Sequence, residues 1–206
     1  MALLIGKKIG MTQLFDESGV VTPVTVIEAG PCSIVQVKTP EKEGYSAIQI
    51  GFIDAKESRT TSPMAGHYRK AGVKPQRILR EVRVDDTNGF EVGGAIDVKA
   101  FEGVEKVHVT GTSKGRGFAG TVKRHHFKIG RRTHGNKSHR EPGSVGACAT
   151  PARIFKGKKL PGRMGGVTRT VKNLPVVQID EENNLIFVKG AVPGANNGVV
   201  FVRTAL

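Results

Sequence analysis

Ser113–Gly120 reads SKGRGFAG, and Gly115, Gly117 and Gly120 within it spell G-x-G-x-x-G. Two kinds of fold compete for this stretch. In a dinucleotide-binding α/β fold, a strand runs into the glycines and a helix comes after them, so that its first N–H groups meet the pyrophosphate. An acid about twenty residues further on then holds the ribose. Val107-His108-Val109 supplies a strand. The next residues, TVKRHHFKIGRR (121–132), have no sustained apolar stripe and are interrupted by Gly130. No Asp or Glu occurs between Lys106 and Arg140, and no Gly-Lys-Ser/Thr closes a phosphate loop. The cofactor reading is thereby weakened, since a G-x-G-x-x-G without that context carries little specificity, and no helix is expected after Gly120. The same glycines suit a backbone that passes close to phosphates, because a residue without Cβ allows close approach.

On both sides of this stretch the chain reads as short strands. Leu3–Ile5 and Met11–Phe15 flank a Gly-Lys-Lys-Ile-Gly joint, and Asp16-Glu17-Ser18-Gly19 is a hairpin turn signal. Val20–Glu28, Ser33–Lys38 and Tyr45–Ile53 come next, with alternation in Val35-Gln36-Val37 and Ile48-Gln49-Ile50. Ser62-Pro63 predicts an N-cap with Pro at the first helical position, and Gly72 predicts the helix end. Further strands are expected at Arg77–Val84, Ala95–Phe101 and Lys106–Thr112, with a turn at Asn88-Gly89. After the glycine-rich stretch they resume at Val167–Val171, Val176–Asp180, Leu185–Lys189 and Val199–Arg203, and complete the sheet begun at the N-terminus. Strands with turn signals roughly every ten residues predict a barrel or sandwich.

Charge divides the chain in the same place. The net charge is +14 over 206 residues. From Ser113 to Lys172 there are sixteen Lys and Arg against one acid, Glu141; the remainder is near neutral. Residues 113–166 hold eleven glycines and few large apolar side chains, so this segment cannot offset its ordering entropy by burial. It is expected to be a long loop that a dense polyanion orders, most simply nucleic acid. Two cysteines, Cys32 and Cys148, make no disulfide framework and point to a reducing compartment. Ala2–Ile5 is too short for a signal-peptide core, and no apolar run approaches a membrane span.

Catalytic and metal chemistry find little support. His125, His126, His134 and His139 with Cys148 fit no common zinc spacing and sit among cations that would repel a metal. Ser138-His139 has only Glu141 nearby, with no orienting role evident. Phe118, Phe127 and Phe155 suit either base stacking or a small core of the segment's own.

The residues FEGVEKVHVTGTSKGRGFAGTVKR (101–124) resemble the signature of the large-subunit ribosomal protein three family, in its bacterial type. The likeness continues through THGNKSHREPGSVG (133–146), TPARIFKGKKLPGRMGG (150–166), VKGAVPGANNG (188–198) and the opening LLIGKKIGMTQLF (3–15). The resemblance implies a mainly β protein: a six-stranded Greek-key barrel of the translation-protein type over residues 1–112 and 167–206. It implies a small α+β insertion at 58–100 and a basic, glycine-rich extension at 113–166. It also implies a cytoplasmic constituent of the large ribosomal subunit that binds large-subunit rRNA and contacts neighbouring large-subunit ribosomal proteins. Such a protein nucleates subunit assembly, and its extension runs towards the peptidyl transferase centre. No reaction, cofactor, metal, membrane or small-molecule substrate is implied. Two positions depart from the family pattern. His108 stands where Asp or Asn is usual, and Ala149 stands where a modifiable Gln often precedes Thr150-Pro151.

The resemblance and the charge together predict the RNA contacts. Lys114, Arg116, Lys123 and Arg124 flank the glycine motif. Arg131, Arg132, Arg153 and Arg163 suit bidentate phosphate contact through a planar guanidinium. Lys156, Lys158 and Lys159 act as less directional charges, joined by Lys128, Lys137, Arg140 and Arg169 and by the imidazoles of His134 and His139. Gly115, Gly117, Gly120, Gly135, Gly143, Gly146 and Gly157 are the expected points of close backbone passage. A free-standing nucleic-acid chaperone is the second reading, and a nucleotide-dependent enzyme the third.

Overall fold

The computed structural model describes residues 3–87 and 89–205. The expected turn at Asn88-Gly89 therefore lies partly outside the described residues. Two compact units emerge: 1–113 with 168–206, and 114–167.

The first unit is built from β1 (Leu3–Phe15), β2 (Val21–Ala29), β3 (Cys32–Lys38), α1 (Pro40–Glu43), β4 (Ala47–Asp54), α2 (Ser62–Ala71), β5 (Gln76–Arg83), β6 (Ala95–Ile96) and β7 (Lys106–Thr112). Across the second unit lie β8 (Phe118–Ala119), α3 (Thr121–His125) and β9 (Gly162–Arg163). The chain then returns with β10 (Thr168–Asp180), β11 (Leu185–Lys189) and β12 (Val199–Thr204). Six strands close an antiparallel barrel in the order β1-β12-β7-β10-β11-β2. The connections β2 to β7 and β11 to β12 skip neighbours, which gives the Greek-key order. Alternation fills the core: Val107 and Val109, Ile186 and Val188, and Val200 and Val202 are all essentially buried.

β1 and β10 are each longer than the sequence pattern suggested. The Gly-Lys-Lys-Ile-Gly joint is a bulge, with the β1–β2 register shifting between Lys8 and Gly10. Likewise β10 shifts register between Val171 and Leu174 and again between Val176 and Gln178, so the two expected strands are one. An extra residue breaks the period-2 pattern without ending the strand. At the first shift Asn173 takes φ 56°, and its N–H donates to His108 Nδ1 at 3.0 Å. The ring nitrogen at position 108 thus supplies an acceptor, as an Asp or Asn oxygen would.

The bulge in β1 also positions Lys8. Its side chain is buried, and Nζ donates to the carbonyls of Val192 (2.9 Å) and Gly194 (3.4 Å). Its backbone exchanges bonds with the same loop, from Lys8 N to Gly198 O and from Asn197 N to Lys8 O. Two of the segments that carry the family resemblance, 3–15 and 188–198, are therefore one structural joint.

The inserted sheet has the order β5-β4-β3-β6. It begins at Cys32, so the insertion is larger than residues 58–100, and β3 and β4 belong to it and not to the barrel. Alternation tells which faces a strand has, not which strand it pairs with. The Ala95–Phe101 strand is also shorter than expected: only Ala95–Ile96 pairs, and Val98–Phe101 forms a 3₁₀ turn. Helix α2 starts one residue from expectation, with Thr61 at the N-cap, and ends at Gly72 with φ 67°. Cys32 joins sheet to barrel. Its thiol meets Ile5 N at 3.4 Å and Ile5 O at 3.5 Å, and burial pushes its pKa up to about 11.

On the sheet's polar face Glu81 accepts from Lys38 Nζ (2.6 Å), Tyr45 OH (2.8 Å) and Gln49 Nε2 (3.4 Å). These bonds, Lys38 first, hold its carboxyl below the usual value of 4.5. A depressed folded-state pKa stabilises above the unfolded value, and that stability is lost as pH falls through the folded value. Glu81→Gln should therefore lower stability at neutral pH and flatten the decline below about pH 4.5, read by urea unfolding at a series of pH values. An unchanged acid limb would remove Glu81 from the acid response.

Candidate nucleic-acid interface

The unit of residues 114–167 is small and polar, yet it carries structure of its own. At its root, Arg116 N donates to Met164 O at 2.8 Å and Met164 N to Gly117 O at 2.9 Å, continuing the short β8–β9 pairing. A five-residue helix, α3, does come after Gly120, contrary to the sequence expectation. Local pattern cannot announce it, because its support comes from a distant return of the chain. Arg124 Nη1 donates to Leu160 O at 2.7 Å, and His125 Nε2 lies 3.1 Å from the same oxygen. Ala119, in β8 just before the helix, and Thr121, its first residue, are buried. The helix stops at His126, which takes φ 60°.

A second ordered piece spans 130–139. Gly130 N donates to His139 O at 2.9 Å, and the carbonyl of Arg131 accepts from Asn136 Nδ2 (2.9 Å) and His139 Nδ1 (2.9 Å). Asn136 Oδ1 in turn accepts from Ser138 N at 3.1 Å. The segment is thus not wholly without internal order, as its composition alone implied.

Most of the sequence-predicted contacts are open to solvent. Lys114, Arg116, Lys123, Lys128, Arg131, Arg132, His134, Lys137, His139 and Arg140 are exposed, as are Arg153, Lys156, Lys158, Lys159 and Arg163. Arg124 is the exception: it is half-buried and ties α3 to Leu160. Arg169 lies in β10, in the other unit. The one acid of the segment, Glu141, accepts from Ser138 Oγ at 3.1 Å. Among the described residues no cation of 114–166 pairs with a carboxylate; both salt bridges, Lys38–Glu81 and Lys99–Glu181, lie in the barrel unit. Phe118 and Phe155 are 76% and 61% exposed, and the Arg153 guanidinium lies over the Phe155 ring at 5.8 Å. Phe127 is half-buried and tilted against His125. Ala149 and Cys148 are exposed beside the cis Thr150-Pro151 bond.

The glycines divide. Gly117, Gly135, Gly143 and Gly157 take positive φ, whereas Gly115, Gly120 and Gly146 do not. Two glycines that sequence reasoning passed over are the most constrained. A Cβ on Gly130 would strike Asn136 Nδ2 and Ser138 O, and one on Gly165 would strike Lys114 O. Gly165 also has φ 73°. Gly165→Ala should open the 114–165 approach and expose the Arg116 and Met164 amides. Hydrogen exchange should rise at least tenfold at those two amides, with barrel amides unchanged. Unchanged protection would mean the root relaxes around the methyl.

Among the described residues no cluster of three His, Cys, Asp or Glu side chains could hold a metal. A concavity of about 620 Å³ lies on the inserted sheet, lined by residues such as Asp54, Lys56, Arg59, Tyr68 and Arg77. No glycine of the G-x-G-x-x-G stretch lines it.

Comparison with known proteins adds the family. The profile described as Ribosomal protein L3 matches residues 86–184. A protein of Pelotomaculum thermopropionicum named large ribosomal subunit protein uL3 is 55% identical over 202 residues, covering 98% of this chain and 96% of its own length. Proteins of the same name from Acidothermus cellulolyticus and a Synechococcus strain are 53% and 52% identical. Each covers 98% of this chain, and the chain covers 91% and 94% of them. A closed barrel, a joint between residues 3–15 and 188–198, and relatives aligned along nearly the whole length agree: the chain belongs to the ribosomal protein L3 family.

Proposed function

We propose that this protein is a cytoplasmic, structural constituent of the large ribosomal subunit that binds large-subunit rRNA directly through residues 114–166. One observation carries the reading: fourteen Lys and Arg share that segment with one acid, and none of them is neutralised by a carboxylate within the described residues. Unpaired surface cations at this density repel one another unless a polyanion lies among them. The barrel unit holds the packed core, and the basic segment supplies the contacts. Arg131, Arg132, Arg153 and Arg163 offer guanidinium forks to phosphates, and the lysines offer charge. Exposed Phe118 and Phe155 offer ring faces to unstacked bases. The protein joins the rRNA early, nucleates folding of the RNA around it, and reaches towards the peptidyl transferase centre beside neighbouring large-subunit proteins. It performs no reaction in this role.

The test is salt dependence. With about eight phosphate contacts, log K for an rRNA transcript should fall against log salt with a slope of roughly −6. Replacing Arg131 and Arg132 with Ala should weaken binding about tenfold and make the slope shallower by about one to two. The melting temperature should hold, since both side chains are exposed. A slope near zero, or an affinity for unrelated RNA and DNA nearly equal to that for rRNA, would favour a different role.

A further inference from the structure

A carbonyl oxygen has no proton to give. His139 Nδ1 lies 2.9 Å from the carbonyl of Arg131, so Nδ1 carries the hydrogen that joins them. In the neutral ring Nε2 is then bare, and it is a hydrogen-bond acceptor. The ring is held in place: Asn136 Nδ2 donates to the same carbonyl, and Gly130 N–H donates to the carbonyl of His139 itself. His139 is exposed, and among the described residues none engages Nε2.

The neighbours in this loop offer the opposite chemistry. Arg131, Arg132, Lys137 and Arg140 are donors only, and Glu141 is taken by Ser138 Oγ. Phosphate oxygens are acceptors, so they match the arginines and lysines and do not match a neutral His139 at Nε2. This departs from the sequence expectation, which grouped His139 with the phosphate contacts. RNA does carry donors: the 2′-hydroxyl of every ribose and the exocyclic amines of its bases.

Resting on the rRNA-binding reading above, we infer that His139 Nε2 is a specificity-determining acceptor that reads a donor group on the RNA, a 2′-hydroxyl or an exocyclic amine. The cations of the loop hold any phosphate backbone. His139 makes the loop sense what lies between phosphates.

Two variants separate the ring's two nitrogens. His139→Asn places an amide N–H near Nδ1, keeping the bond to Arg131 while removing the acceptor. His139→Gln keeps an acceptor near Nε2 and gives up the Nδ1 donor. The full-length proteins are bound at pH 8 to a large-subunit rRNA transcript carrying sparse 2′-deoxy nucleotides, or sparse nucleotides lacking exocyclic amines. The bound and unbound fractions are then mapped. Wild type should select against one modified position by about fivefold, the scale of one neutral hydrogen bond. That position should vanish with His139→Asn and persist with His139→Gln, and the salt slope should be the same for all three. Interference from the deoxy series identifies a 2′-hydroxyl, and interference from the other series identifies an amine. Identical maps for wild type and His139→Asn would overturn the inference, as would a two-bond ¹⁵N–¹H spectrum of the free protein showing the proton on Nε2. Failure of the wild type to bind the transcript at all is a different result, and it would sink the rRNA reading itself and this inference with it.

Discussion

Replacing residues 113–167 with Asn-Gly should leave a folded barrel that binds rRNA at least a thousandfold more weakly. The barrel half of this expectation rests on register. Thr112 and Thr168 are partners across the β7–β10 pair, continued inward by Gly111 with Arg169 and Thr110 with Thr170. The gap between the two threonines is thus that of a two-residue hairpin, and Asn-Gly supplies the positive φ values which such a turn needs. The packed core draws no member from 114–167. Closing a short loop in place of a long one also lowers the entropy lost on folding. The melting temperature should stay within a few degrees of wild type. The binding half rests on charge: the replacement removes fourteen cations and one acid. Loss of about eight phosphate contacts removes most of the electrostatic free energy, on the order of three decades at moderate salt. Arg169 and the other barrel cations remain, so weak, unspecific binding is the residue. Filter binding and thermal unfolding of the same preparation measure both halves. A variant that still binds rRNA tightly would move the interface to the barrel, and one that fails to fold would make the segment structural.

How much of this was readable beforehand depends on what each feature depends on. The boundary near Ser113 was legible because it is a change in composition: apolar alternation stops and charge begins. The barrel strands were legible where the alternation is unbroken, as in Val107 to Val109 and Ile186 to Val188. Bulges hid the continuity of β1 and β10, since one inserted residue inverts the pattern beyond it. Pairing was not legible at all. β3 and β4 alternate as barrel strands do, and only their partners β5 and β6 reveal a second sheet. At the candidate site the cations could be read from the sequence, but their scaffold could not. Arg124 looks like any other cation of the segment until Leu160 returns to accept its hydrogen bond. Gly130 and Gly165 look like ordinary loop glycines until Asn136, Ser138 and Lys114 are brought against them.

Phe101→Ala should cost about 3–5 kcal/mol, the scale of truncating a fully enclosed aromatic. Phe101 is the bulkiest of the completely buried side chains, and Val98 beside it is 1% exposed. Their spacing explains how both are inside. In a strand, residues 98 and 101 would face opposite sides, but in the 3₁₀ turn that the chain forms here, positions three apart eclipse and share one face. The turn lies between β6 and β7, where the inserted sheet ends and the barrel resumes. Both side chains belong to a cluster that includes Ile50 and Phe52 of the sheet and Leu4 and Val109 of the barrel. A cavity there loosens both layers at once, and Tm should fall by about 10–15 °C. Phe118→Ala is the matched control: that ring is 76% exposed, and its loss should change stability by no more than about 0.5 kcal/mol. The two phenylalanines should then exchange ranks when rRNA affinity is measured at a temperature where both variants are folded. Phe118→Ala weakens binding if the ring stacks on a base, while Phe101→Ala binds as wild type does. Saturating rRNA should also restore part of the Tm lost by Phe101→Ala, because a ligand that binds only the folded state stabilises it by RT ln(1 + [L]/Kd). A Phe101→Ala protein as stable as wild type would mean that the 98–101 turn is not part of the core, and that sheet and barrel are held together elsewhere.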